Sequence, residues 1–182
     1  MTRWLACLLL GCFLALPAWA RQDDPRLDSL FTALKGAPSD AAAARIEREI
    51  RIIWFTSGSD TIDLLMHGAA QAIGRHDIVK ARALLDVVVK LAPDYAEGWN
   101  LSGGMAFLVG NDKKARTDLE HALALEPRQF DALMSLARVL EREGDDLDAF
   151  STLLQAQAID PHAAGLAEWV RILTLKVKGQ SI

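Results

Sequence analysis

The side chains able to hold a metal or act on a substrate are few, and their spacing suits neither task. Four histidines, His67, His76, His121 and His162, are scattered along the chain with no two of them three or four positions apart. The helical zinc pattern of two histidines on one face is therefore missing, and surface or turn positions are the expected places for all four. No Gly-x-Ser-x-Gly elbow and no phosphate loop of the Gly-x4-Gly-Lys type occurs, and Ser57-Gly58-Ser59-Asp60 reads as a linker and helix cap. The one polar feature with a regular spacing is a set of acids, Asp63, Glu97 and Asp131, each 34 residues after the last. Each falls in the first turn of an expected helix, where the macrodipole favours an acid whatever the protein binds. As a row they also form an acidic rail suited to a basic segment of a partner. That chemistry is recognition, and no catalytic residue, cofactor or metal site is expected.

The elements that position these acids begin after an apolar leader. From Trp4 to Ala20 there is no charged side chain, and polarity returns at Arg21-Gln22-Asp23-Asp24. The run is short for a membrane span, and Pro17 precedes the small-x-small tripeptide Ala18-Trp19-Ala20, so residues 1–20 read as a signal peptide cut after Ala20. Two other readings are open: an uncleaved anchor, and a lipoprotein anchored at Cys12, since Leu9-Leu10-Gly11-Cys12 is similar to a bacterial lipoprotein processing box. Both cysteines, Cys7 and Cys12, lie in the leader. Cleavage after Ala20 leaves a chain without disulfides, thiolate sites or cysteine nucleophiles.

Cleavage also removes Arg3, leaving 19 basic against 24 acidic residues, a net charge of −5 compared with −4 for the whole chain. So acidic a chain is a poor partner for nucleic acid. Half the composition is apolar, enough for one folded unit, and no span remains after cleavage.

The rest of the chain is a repeat. Pro93, Pro127 and Pro161 are 34 residues apart, as are Ala81, Ala115 and Ala149. Leu65, Trp99 and Leu133 share that register, and so do Ala69, Gly103 and Ala137, and Leu85, Leu119 and Leu153. Each unit reads as two helices. The turn between them falls at Gly110-Asn111-Asp112 in the second unit, at Gly144-Asp145 in the third and at His76-Asp77 in the first. His76 stands where the others have glycine, so a strained or differently shaped turn is expected there. Small residues at the alanine and glycine landmarks let paired helices approach, and each proline ends a second helix because it has no N–H to donate.

Large apolar, small, alanine and proline landmarks in that order at a period of 34 resemble the tetratricopeptide repeat over residues 62–163. The resemblance implies an all-α superhelical solenoid of about three repeats, 62–95, 96–129 and 130–163, with helical caps at both ends. Residues 21–61 read as a degenerate repeat or N-terminal cap. One helix there carries Leu27, Leu30, Phe31 and Leu34; the other carries Ile46, Ile50, Ile53 and Trp54, with Arg45/Glu49 and Glu47/Arg51 pairs on its wet face. Residues 164–182 read as a closing helix with Leu166, Trp169, Val170, Leu173 and Val177 on its apolar side. Trp54, Trp99 and Trp169 lie on apolar stripes and are expected in the core.

In this family the first helices of successive repeats line a concave groove. The resemblance therefore implies a partner-binding surface of Asp63, Met66, Ala70 and Ile73, then Glu97, Asn100, Gly104 and Phe107, then Asp131, Met134, Arg138 and Glu141. Some members grip a C-terminal carboxylate there with lysines, arginines and asparagines. Here Asn100 and Arg138 are accompanied by Met66, Ala70, Asp131 and Ser135, which argues against that mode. The function implied is that of a non-catalytic adaptor of the cell envelope, periplasmic or otherwise exported, which binds another protein or peptide. The alternative is a self-associating structural subunit, a homo-oligomer built on Ile172 and Leu175, which lie off the stripe of the closing helix.

Overall fold

The computed structural model describes residues 23–180, and the leader with its two cysteines lies outside them. Among the described residues there are nine α-helices and no strand, so the fold is the expected all-α superhelical repeat. They are α1 (Arg26–Lys35), α2 (Asp40–Phe55), α3 (Asp60–Gly74), α4 (Ile78–Leu91), α5 (Ala96–Leu108), α6 (Asp112–Leu125), α7 (Phe130–Glu143), α8 (Asp146–Ile159) and α9 (Leu166–Gln180).

The three repeats are the pairs α3–α4, α5–α6 and α7–α8, each packed face to face and stacked on the next. The landmarks do what their sizes suggest. Ala69, Ala81, Ala115, Ala137 and Ala149 are wholly buried, and a Cβ on Gly103 would lie only 2.7 Å from the Leu119 side chain. Second helices end alike: Ala92, Glu126 and Asp160, the residues before the three prolines, have ψ of 72, 92 and 91°. The proline ring forces that departure from helical geometry.

The turns between paired helices are also alike, with one strained member. Gly110 and Gly144 have φ of 76 and 88°, and His76 takes the same left-handed geometry at φ 58°. A Cβ is disfavoured there, so the strain expected from sequence is present. The next residues, Asp77 and Asn111, cap the following helices by accepting hydrogen bonds from the backbone N–H of Lys80 and Lys114. At the far end α9 packs on α8 through Leu166 and Leu173, both wholly buried.

The first hairpin follows the local rules of sequence but takes a position that the 34-residue register does not encode. Asp24 Oδ1 accepts from the Arg26 N–H, and Ser39 caps α2 by accepting from Ala42 N–H. The Glu47–Arg51 pair forms at 2.9 Å, whereas Arg45 donates to the Ala41 carbonyl. The apolar faces of α1 and α2 close on one another around Leu27, Phe31, Leu34, Ile50, Ile53 and Trp54, and the same core takes in Phe130 of α7 and Ile159 of α8. α1 rests on α8 and α2 on α5. The hairpin is thus a strap laid across the repeats.

Candidate functional site

α2 runs along the N-terminal ends of the first helices, from the last repeat back to the first. At its start Asp40 meets His162, just after α8, at 2.9 Å. Three turns on, Arg51 donates from Nε and Nη2 to both carboxylate oxygens of Asp131 at 2.7 and 3.0 Å, and its guanidinium lies over the Phe130 ring. Trp54 packs on Phe130 with ring centroids 5.3 Å apart. At its end the Phe55 carbonyl accepts from the Tyr95 hydroxyl at 2.9 Å, and the Phe55 ring meets His67 of α3 edge-on at 5.2 Å. Sixteen residues of helix span about 24 Å, enough to cross helices set about 8–10 Å apart. From the other side Arg128, ahead of α7, reaches Asp28 of α1 and lies over the Phe31 ring.

That crossing decides the fate of the acidic rail. Asp63 accepts from the N–H and hydroxyl of Ser57, both at 2.7 Å. Glu97 accepts from the side-chain amides of Asn100 and Gln129, and burial pushes its carboxyl up to about 7. Asp131 is held by Arg51. The three acids share a register but serve three internal hydrogen-bonding roles, so they do not stand as a free rail. Asp160, wholly buried at the end of α8, is pushed up to about 6, by burial first and by the nearby Glu47 next. Perturbed carboxyls often mark active sites. These two are boundary groups, Glu97 fixed by amides and Asp160 by the His162 N–H.

Five of the expected groove residues therefore sit otherwise than expected. Met66 is 0% exposed and belongs to the core with Ile62, Ala69 and Leu85. Asn100 is buried against Glu97, and Asp63, Glu97 and Asp131 are engaged as described. The rest remain at the surface: Ala70 and Arg138 are exposed, and Ile73, Gly104, Phe107, Met134 and Glu141 are partly so. Two of these are dressed by neighbours. Arg142 lies over the Phe107 ring, and Glu141 accepts from the Trp169 indole N–H. Trp54 is 3% exposed, but Trp99 and Trp169 are only partly buried.

Sequence reasoning missed α2 as a wall of this surface. Between α2 and α3 lies a hollow of about 470 Å³ lined by Arg48, Arg51, Ile52, Phe55, Thr56 and His67. The available signal was Ile52, a large apolar residue off the buried stripe of α2 and 67% exposed. Among the described residues no three His, Asp or Glu side chains gather as metal ligands, and no helix is long and apolar enough to cross a membrane.

Comparison with known proteins agrees with this architecture. The chain is 40% identical over 157 residues to a TPR repeat-containing protein of Rhizobium etli, covering 85% of this chain and 76% of that one. Its fold is similar to the TPR domain of Sgt2 from Aspergillus fumigatus, with a TM-score of 0.63 at 17% identity over 68% of this chain and 83% of that one. It is also similar to the Yersinia enterocolitica type III secretion chaperone SycD, solved with a peptide of the translocator YopD, with a TM-score of 0.60 at 16% identity over 65% and 95% of the two chains. No protein-family model matches the chain.

Proposed function

Because the chain belongs to the TPR repeat-containing proteins, we propose that it is a non-catalytic adaptor that holds a peptide or helix of another exported protein in the cell envelope. The observation that carries the reading is the strap. α2 lies on the first helices by combining aromatic packing with a two-point guanidinium–carboxylate pair, so this surface already accepts a helix. Beside it the partly exposed Ile73, Phe107 and Met134 and the exposed Arg138 offer adaptable apolar area with a charge at its edge. The structure of SycD with a YopD peptide offers a precedent for peptide binding by a chaperone of similar fold. A stacked, prefolded surface loses little freedom when it binds, which favours recognition of short segments.

The test is capture from envelope extract by the protein and by a Phe107→Glu, Met134→Glu variant. One partner retained by the first and lost by the second is expected; identical captured sets would remove the groove from the argument. Export has its own check: the N-terminus of the protein recovered from cells is expected at Arg21, and a lipid-modified Cys12 would replace that reading with anchorage.

A second reading, self-association, has its own observation. Ile172 and Leu175 of α9 are 50% and 61% exposed and sit one period beyond Arg138 and Glu141, so they continue the groove-facing register as bare apolar surface. Light scattering of the protein and an Ile172→Ser, Leu175→Ser variant distinguishes the two readings. A dimer lost in the variant favours the structural subunit; a monomer in both favours the adaptor.

A further inference from the structure

We propose that the hollow between α2 and α3 is the anchoring pocket of this surface, and that it takes a peptide segment in which a large apolar side chain neighbours a carboxylate. The inference rests on the adaptor reading and names the partner's chemistry.

The floor of the hollow is apolar. Ile52 and Phe55 stand one helical turn apart on α2, and with Thr56 and His67 they line a hollow of about 470 Å³. That falls within the range of about 300–1,000 Å³ typical of ligand pockets, with room for an aromatic or branched side chain and part of its neighbour. Phe55 is only partly buried and is held from behind by the edge of His67, whose Nδ1 lies 2.7 Å from the Asp63 carbonyl. The wall is therefore preformed. Ile52 leaves two-thirds of its surface in water, which an apolar partner would remove.

Its mouth is charged. Two guanidinium groups border the hollow, and they are in different states. Arg51 is satisfied by Asp131 and by Glu47. Arg48 is exposed and meets no carboxylate among the described residues. Glu49, the adjacent acid, lines a separate hollow with Arg26, Leu30 and Ile53, on the other side of Ile52. Asp63, one turn before His67 on α3, already accepts two hydrogen bonds from Ser57. This mouth thus presents one unengaged guanidinium, that of Arg48, beside an apolar floor. A guanidinium pairs best with a carboxylate, through two parallel hydrogen bonds. The register of acids in sequence points to a basic partner; in the fold those acids are engaged, and the group left for a partner at this mouth is the cation Arg48.

The test is a positional-scanning array of ten-residue peptides probed with the purified protein. Peptides with Asp or Glu next to Leu, Phe or Trp are expected to bind about three- to fivefold better than their Lys counterparts, the scale of exchanging an attractive exposed charge pair for a repulsive one. Arg48→Glu is expected to reverse that preference, and Ile52→Asp to abolish binding; both residues are exposed, and thermal melting of each variant verifies the fold. A preference for basic peptides, or an acidic preference unmoved by Arg48→Glu, overturns this inference and leaves the adaptor reading standing. An array on which nothing binds overturns both.

Discussion

The middle repeat, α5–α6, and the first hairpin, α1–α2, are both helix pairs of similar size, and they are held in place by different means. α5 and α6 meet through small residues. Gly103 lies against Leu119 and Ala115, and partners are fewer than twenty positions apart in the chain. The hairpin is held by large and charged groups whose partners are remote: Arg51 with Asp131 at a separation of 80, Arg128 with Asp28 at 100, and Asp40 with His162 at 122. Close packing of small residues is intrinsic to a repeat and travels with its register. A docked element instead depends on a few anchors, each of which can be removed singly.

The comparison is most severely tested at Trp54. Trp54→Ala removes the ring that joins α1, α2 and Phe130, and a loss of about 3–5 kcal/mol is expected. Because α3–α9 keep their own contacts, denaturant unfolding should split, with the hairpin lost first; a single transition would show that strap and stack are one unit. Within the stack, Gly103→Ala drives a methyl to 2.7 Å from Leu119 and should cost about 1–3 kcal/mol by melting, while Gly104→Ala meets nothing within 4 Å and should be neutral or stabilising.

Below these in size is a pH effect at the seam between the two regions. Glu97 is pushed up to about 7 by burial, above its ordinary value of 4.5. A folded-state pKa raised in this way gives stability that is fully present below the unfolded value and is lost as pH rises through about 7. Glu97→Gln should flatten that decline and gain on the order of 1–2 kcal/mol at pH 8, read from urea midpoints across pH 5–8. His76→Gly relieves a left-handed backbone and should add about 1 kcal/mol to the stack without touching the strap. Smallest is the Arg51–Asp131 pair, with both side chains more than a third exposed. A double-mutant cycle should give a coupling of about 0.5 kcal/mol that fades with salt.

The parts legible in sequence were those whose cause is local. Ala81, Ala115 and Ala149 announce close helix pairs because the same packing recurs in each unit, and His76 announces strain because the other turns have glycine there. The strap was not legible. Ile46, Ile50, Ile53 and Trp54 state that α2 has one apolar face, but a stripe says nothing of what covers it. The site suffered from the same gap. Asp63, Glu97 and Asp131 look equivalent because helix periodicity reports only the face of their own helices; Ser57, Gln129 and Arg51, which separate their fates, come from other elements. Met66 followed the groove register but packs into the core of the first repeat with Ile62, Leu85 and Met105, against which the Phe55 end of α2 also lies.

The strap also changes how such an array comes apart. A plain solenoid is a one-dimensional stack in which each unit touches only its neighbours, so its ends fray and its middle survives. Here the Asp40–His162 contact ties the beginning of the chain to the close of the last repeat, and Tyr95 holds the far end of the same helix against the junction of the first two. The row is thereby closed like a clasped chain. Neither the first repeat nor the third can peel without first releasing a helix that touches the other, and closure of so long a loop is expected to place that docking late in folding.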